Sequence, residues 1–112
     1  MSLDPLPPKT CSIDRLITRQ EDIQRVLTGK KRATRRNGRY ADPGEILLLQ
    51  GESFRITAVY RQRLGEMTDR DAQSEGFKSV HAYVDAIQQI HPGIPLTPDM
   101  PMWVHEFEPM GH

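Results

Sequence analysis

Apolar residues recur along this chain with two different periods, and the points where the period changes divide it into elements. Ile23, Val26 and Leu27 keep the i, i+3, i+4 spacing of one helix face and predict a helix over about 19–28. Thr18-Arg19-Gln20-Glu21 ahead of it has the form of a capping box, and Gly29 suits the residue that ends it. Leu16 and Ile17 predict a short first strand over 14–19, and Ala33-Thr34 a second over about 31–36. Asn37-Gly38 and Asp42-Pro43-Gly44 are turn signals. Residues 45–50 are nearly all aliphatic and predict a strand buried on both faces, joined tightly through Gly51-Glu52 to the next. There Phe54, Ile56, Ala58 and Tyr60 alternate with Arg55, Thr57, Val59 and Arg61, the period of a half-exposed antiparallel strand. The two strands are expected to form a hairpin.

After Gly65 the period becomes helical again. Thr68 is placed to cap a short helix ending at Glu75-Gly76, and Ser79 to cap another whose stripe is Val80, Tyr83, Val84, Ile87 and Ile90. His91-Pro92-Gly93 stops that helix, 95–101 reads as a loop, and Trp103, Val104 and Phe107 make 102–108 a closing strand. Short strands with local connections and few helices predict an α+β fold. Its form is a small mixed or antiparallel β-barrel of about five to six strands, with two or three helices outside or over one mouth. Pro5, Pro7 and Pro8 make 1–12 a flexible N-terminal arm, leaving 13–112 as a single domain.

Composition narrows the class. The 112 residues are 37% hydrophobic and 27% charged, ordinary for a globular domain of one modest core. No apolar run approaches a membrane span, the first residues lack the charged and apolar regions expected of a secretory signal, and the lone Cys11 cannot pair internally, so a cytoplasmic protein is expected. The net charge is zero, but residues 1–63 carry +6 and residues 64–112 carry −6. A basic face on a neutral domain points to an anionic partner, nucleic acid or nucleotide, although the halves can also neutralise each other.

The basic charge concentrates in Gly29-Lys30-Lys31-Arg32-Ala33-Thr34-Arg35-Arg36, where five cations surround one hydroxyl. A solvated edge strand is the plainer reading of such a run. Glu75 alters it. A carboxylate in the last turn of a helix faces the negative end of the dipole, at a cost of a few tenths to about 1 kcal/mol, unless a cation compensates. Alone it reads more readily as an exposed, tolerated surface group. Lys31 could supply the compensating charge and, if partly buried, could as a neutral amine take a proton from the Thr34 hydroxyl. A regular strand would turn Lys31 and Thr34 to opposite sides, so their pairing needs Lys31 in the turn or a bulge. Arg35, Arg36 and Arg39, with Lys30 and Arg32, are candidates for holding phosphates, and Tyr40 and Trp103 for stacking a base. The four histidines lack metal-ligand spacing and there is no phosphate loop, so neither a metal nor a cofactor is expected.

The order Ile23-x-x-Val26-Leu27-x-Gly29-x-Lys31-x-x-Thr34-x-Arg36, Gly44-Glu45-Ile46-Leu47, Ala72-x-x-Glu75-Gly76-Phe77, Ile90-His91-Pro92-Gly93 and Trp103-Val104-x-Glu106-Phe107 resembles the ASCH domain, a PUA-like β-barrel family. Within it the chain looks like the small bacterial N(4)-acetylcytidine amidohydrolases. The resemblance implies that Lys31 activates Thr34 for attack on the acetamide carbonyl and that Glu75 shuttles a proton to the leaving amine. It implies a modified nucleoside or single-stranded RNA as partner. Other members of the family resemble RNA-binding or RNA-cleaving proteins, which implies the alternative of a non-catalytic RNA-binding module, or a ribonuclease, using segment 30–39. A nucleotide-sensing or protein-interaction domain is a third reading.

Overall fold

The computed structural model describes Lys9 and residues 11–110. The arm expected over 1–12 therefore lies largely outside the described residues. Lys9 itself pairs with Glu45 at 3.2 Å.

Four antiparallel strands, β1 (Ala33–Arg36), β2 (Ile46–Leu49), β3 (Glu52–Arg63) and β4 (Pro101–Pro109), form one curled, half-open barrel sheet in the order β1-β4-β3-β2. Helix α1 (Gln20–Leu27) precedes it, and α2 (Asp69–Ser74) and α3 (Val80–Ile90) lie between β3 and β4 in the chain. Among the described residues the strands number four, below the five to six expected. The missing one is 14–19: Ile13–Arg15 is a 3-10 turn, and Leu16 and Ile17 are both buried, at 1% and 5% exposure. Neighbouring strand residues point to opposite faces, so an adjacent pair that must fill one core cannot be an exposed sheet strand.

Helix α1 buries Val26 and rests Ile23 and Leu27 on the same core, as the stripe requires. Its N-cap is Arg19 with no side-chain cap, so the Thr18 box does not form; Glu21 and Asp22 in the first turn favour the positive helix end instead. Thr68 and Asp71 do form a reciprocal capping box on α2, and Ser79 accepts from the Ala82 amide to start α3. The β2–β3 hairpin turns through Gln50 and Gly51, with φ of 49° and 85°, the paired left-handed residues that match the strand twist. Strand β2 is not buried on both faces. It is a sheet edge, and Leu47 and Leu49 are buried while Ile46 and Leu48 are exposed, Leu48 at 65%.

A bulge at Thr57 decides which chemistry meets which core. Ile56 pairs with Phe107 but Ala58 pairs with Glu106, so the alternation of β3 slips by one residue. Phe54 and Ile56 share a face with Val59 and Arg61, whereas Ala58, Tyr60 and Gln62 project from the other. The expected single stripe of Phe54, Ile56, Ala58 and Tyr60 is thereby divided. The first face packs with Leu16, Val26, Leu47 and Phe107; the second, with Met102, packs under α2 and α3 through Leu64, Met67, Ala72 and Tyr83.

Candidate functional site

The second face holds a buried polar network at the end of α2. Lys31 follows the α1 stop, where the amides of Lys30 and Lys31 both donate to the Arg25 carbonyl, and Arg32 N donates to Ser74 O at 2.6 Å. These bonds fasten the start of β1 to the end of α2. Glu75 is the α2 C-cap, and Gly76 behind it takes φ 95°, a conformation natural to glycine. A Cβ there would come within 2.9 Å of Arg25 Cδ, whose guanidinium sits 5.1 Å over the Phe77 ring.

Lys31 Nζ donates to Glu75 Oε1 at 2.6 Å, and Arg35 Nη1 donates to Glu75 Oε2 at 2.9 Å. All three side chains are 3% exposed or less. Arg35 Nε donates to Gln62 Oε1 at 2.9 Å, Gln62 donates to Asp71 at 3.2 Å, and Arg35 Nη2 lies 3.7 Å from Asp71. Two cations thus offset two carboxylates, and the dipole cost at Glu75 is compensated by direct bonds. Burial works against the Asp71 charge, yet hydrogen bonds from Thr68 and Gln62, with the nearby Arg35 charge, hold its carboxyl below the usual range. Tyr83, close by, is pushed up by burial and by the Glu75 charge. On the same face Tyr60 donates to Glu106 at 2.5 Å; burial and that acceptor push the phenol up to about 12.

Of the expected catalytic set, Lys31 and Glu75 meet. Thr34 does not join them by a hydrogen bond among the described residues. It pairs with His105 in the β1–β4 ladder, so it projects to the face opposite Arg35. His105 is fully buried there: Nε2 accepts from the Tyr40 amide at 3.1 Å, which places the ring proton on Nδ1, and Nδ1 has no partner among the described residues. Burial, with the Arg36 and Arg39 charges, pushes its pKa down to about 4 against the pull of nearby carbonyls.

The basic segment separates in the same way. Lys30 and Arg32 are exposed, Arg35 is consumed by Glu75, and Arg39 is buried against Asp42. Arg36 is half-buried, donates to Tyr40 OH at 3.3 Å and lies 4.8 Å over that ring. Trp103 is half-buried with Arg61 4.9 Å over it. Sequence reasoning missed Gln62, Asp71 and His105 as site components, and Arg61 as a ring partner. Asp71 was visible only as a first-turn acid, and the faces of Gln62 and Arg61 depend on a bulge that no residue pattern marks. A surface depression lined by Arg55, Glu108, Pro109 and Met110 lies at the opposite end of the β3–β4 ladder from Trp103. No group of three or more His, Cys, Asp or Glu among the described residues could hold a metal, and no described helix is long and apolar enough to cross a membrane.

A curled antiparallel sheet with two helices between its central strands in the chain, and a buried Lys–Glu–Arg cluster, define a small α+β domain whose fold is similar to that of solved ASCH-type structures. The solved ASCH domain from Lactobacillus crispatus JV V101 superposes with a TM-score of 0.65 at 19% identity, over 80% of this chain and 70% of that one. A DUF984 protein from Enterococcus faecalis V583 gives 0.61 at 21% identity over 96% and 79%. A hypothetical protein gives 0.62 at 19% over 83% and 94%. At these identities the likeness is one of fold. No family model and no curated protein matches the sequence.

Proposed function

We propose that this protein acts on a modified nucleoside and hydrolyses the N4-acyl amide of N(4)-acetylcytidine. The observation that carries the reading is the 2.6 Å contact between Lys31 and Glu75, both buried, at the positions the ASCH resemblance assigns to a base and a proton shuttle. In this scheme a proton passes along that hydrogen bond between the two side chains. With it on Glu75, the Lys31 amine accepts the proton of the attacking hydroxyl while oxygen bonds to the acyl carbon. As the tetrahedral intermediate collapses, the C–N4 bond breaks and Glu75 returns a proton to the leaving amine. Water then releases the acid. Arg35 holds the second Glu75 oxygen and fixes its orientation.

Thr34 is the nucleophile in this scheme, and the ladder pairs it with His105 on the face opposite Arg35. Incubation with N(4)-acetylcytidine is expected to release cytidine and acetate, and Lys31→Ala and Glu75→Gln to abolish release. Thr34→Ala separates the two nucleophiles: lost turnover assigns the threonine, retained turnover assigns water. Absence of turnover by the unmutated protein would end the amidohydrolase reading.

A further inference from the structure

The two edges of the sheet are built differently. Strand β1 carries Arg35 and Arg36 among its four residues, and charged side chains along an edge discourage pairing with another chain. Strand β2, the other edge, is Ile-Leu-Leu-Leu, with no charge, proline or bulge. No strand among the described residues pairs with its outer side.

The ladder fixes which backbone groups that side presents. Met110 N donates to Ser53 O at 3.0 Å, so the polar backbone of Ser53 faces β4, and that of Leu48, opposite Ser53, faces the open edge. Ile56 N donates to Glu45 O at 2.9 Å, so Glu45 faces β3 and its neighbour Ile46 faces outward. Ile46 and Leu48 are also the residues of β2 whose side chains are exposed, and Met110, exposed too, lies beyond Ser53 in the row that begins at Leu48. Three of the five exposed large hydrophobics among the described residues therefore gather at one corner of the sheet.

We infer that the β2 edge is the contact between two copies of this chain, joined antiparallel about a two-fold axis at Leu47. An added antiparallel strand must set outward residues against outward residues. With the axis at Leu47, Ile46 of each copy meets Leu48 of the other, and each such pair exchanges both N–H···O bonds. Their side chains cover one another on the exposed face. An axis at Leu48 would instead set Ile46 against Gln50, a turn residue at φ 49°. The edge is thus its own complement, as a two-fold interface requires. An extended peptide could reach the same groups, but it would lose on binding the freedom that β2, held on β3, has already given up. The zero net charge of the chain leaves no overall repulsion between copies. A strand of four residues places the contact in the small, weak class, so the dimer exchanges with concentration.

Sedimentation velocity on the full chain over roughly 1 μM to 1 mM is expected to show monomer giving way to dimer. Hydrogen exchange by NMR at both ends of that range reads the edge itself. The amides of Ile46 and Leu48 should exchange freely in the monomer and slow about tenfold or more in the dimer, while the outer amides of β1 stay unchanged. Leu48→Lys puts a charge into both cross-strand pairs and should weaken association about tenfold or more, with the thermal midpoint of the dilute protein unchanged. Leu48→Pro removes an N–H that no β2–β3 bond uses and should weaken it likewise. A monomer throughout the range would overturn the inference, as would a dimer that leaves the Ile46 and Leu48 amides unprotected or that survives Leu48→Lys at parental affinity. Protection of those amides already in the dilute monomer would overturn it too, and would assign the edge to residues 1–8, whose neighbour Lys9 bonds Glu45 at the head of β2.

Discussion

Lys31 and Glu75 are 44 positions apart in the chain and 2.6 Å apart in space. Arg35 completes the contact at 2.9 Å on the other carboxylate oxygen, so Glu75 serves two buried cations. Glu75→Ala would leave Lys31 without a counter-charge and Arg35 with Asp71 alone at 3.7 Å, and breaking a buried pair in this way costs about 3–5 kcal/mol. Lys31→Met leaves Glu75 still bound by Arg35 and should cost clearly less. Urea denaturation of the two variants checks the order; a larger loss for Lys31→Met would mean that Arg35 does not hold the carboxylate.

His105 sets a pH dependence with a definite sign. Its folded pKa of about 4 lies below the ordinary 6.5, so between those values the unfolded chain binds the extra proton. Stability from the neutral ring is fully present above about pH 6.5 and is lost as pH falls toward 4, at up to about 1.4 kcal/mol per unit. Chemical denaturation of the parent at pH 7 and 4.5, compared with His105→Gln, should show a shallower fall in the variant. An identical fall in both would remove His105 as its source.

Much of this architecture is legible in the sequence because it rests on local chemistry. Thr68 and Ser79 cap the helices they precede, and the turn before β3 follows from Gly51. A carboxylate at a helix C-terminus is favoured by a nearby cation, which marks Lys31 as a candidate partner for Glu75. What stayed hidden is non-local. Leu16-Ile17 looks like a strand until the need to bury adjacent residues in one core is known. Ile46 to Leu49 looks doubly buried until the sheet order places it at an edge. The bulge at Thr57 depends on β4, some fifty residues away in the chain, and without it Gln62 and Arg61 would exchange faces.

That bulge is testable by deletion. Removing Thr57 restores strict alternation, which would pull Gln62 off Arg35 and Arg61 off Trp103 or force the whole hairpin to slip by one residue. The deletion is expected to abolish cooperative unfolding, while Thr57→Ala, at an exposed site, should stay within about 0.5 kcal/mol of the parent. A well-folded deletion variant with unchanged Trp103 emission would show that the register is set elsewhere.

Gly76 is expected to tolerate little. Gly76→Val must hold a β-branched residue at positive φ, which costs about 1–3 kcal/mol, and must displace the Arg25 side chain. Gly76→Asn, with its milder left-handed penalty, should fall between the two. Thermal denaturation of the three proteins gives the ranking directly, and equal midpoints would contradict it.

The central place of β4 in the order β1-β4-β3-β2 also bears on how the molecule assembles. Ala33 pairs with Glu106, so β1, the first of the four described strands in the chain, stays unpaired until β4, the last of them, is made. The β2–β3 hairpin closes early, but it offers β1 no edge. Sheet completion is therefore a late, long-range event, of the kind that slows folding and leaves strand edges open in the interval. A nascent chain arrested before residue 101 should remain protease-sensitive through β1, and become resistant only when residues 101–109 clear the exit tunnel.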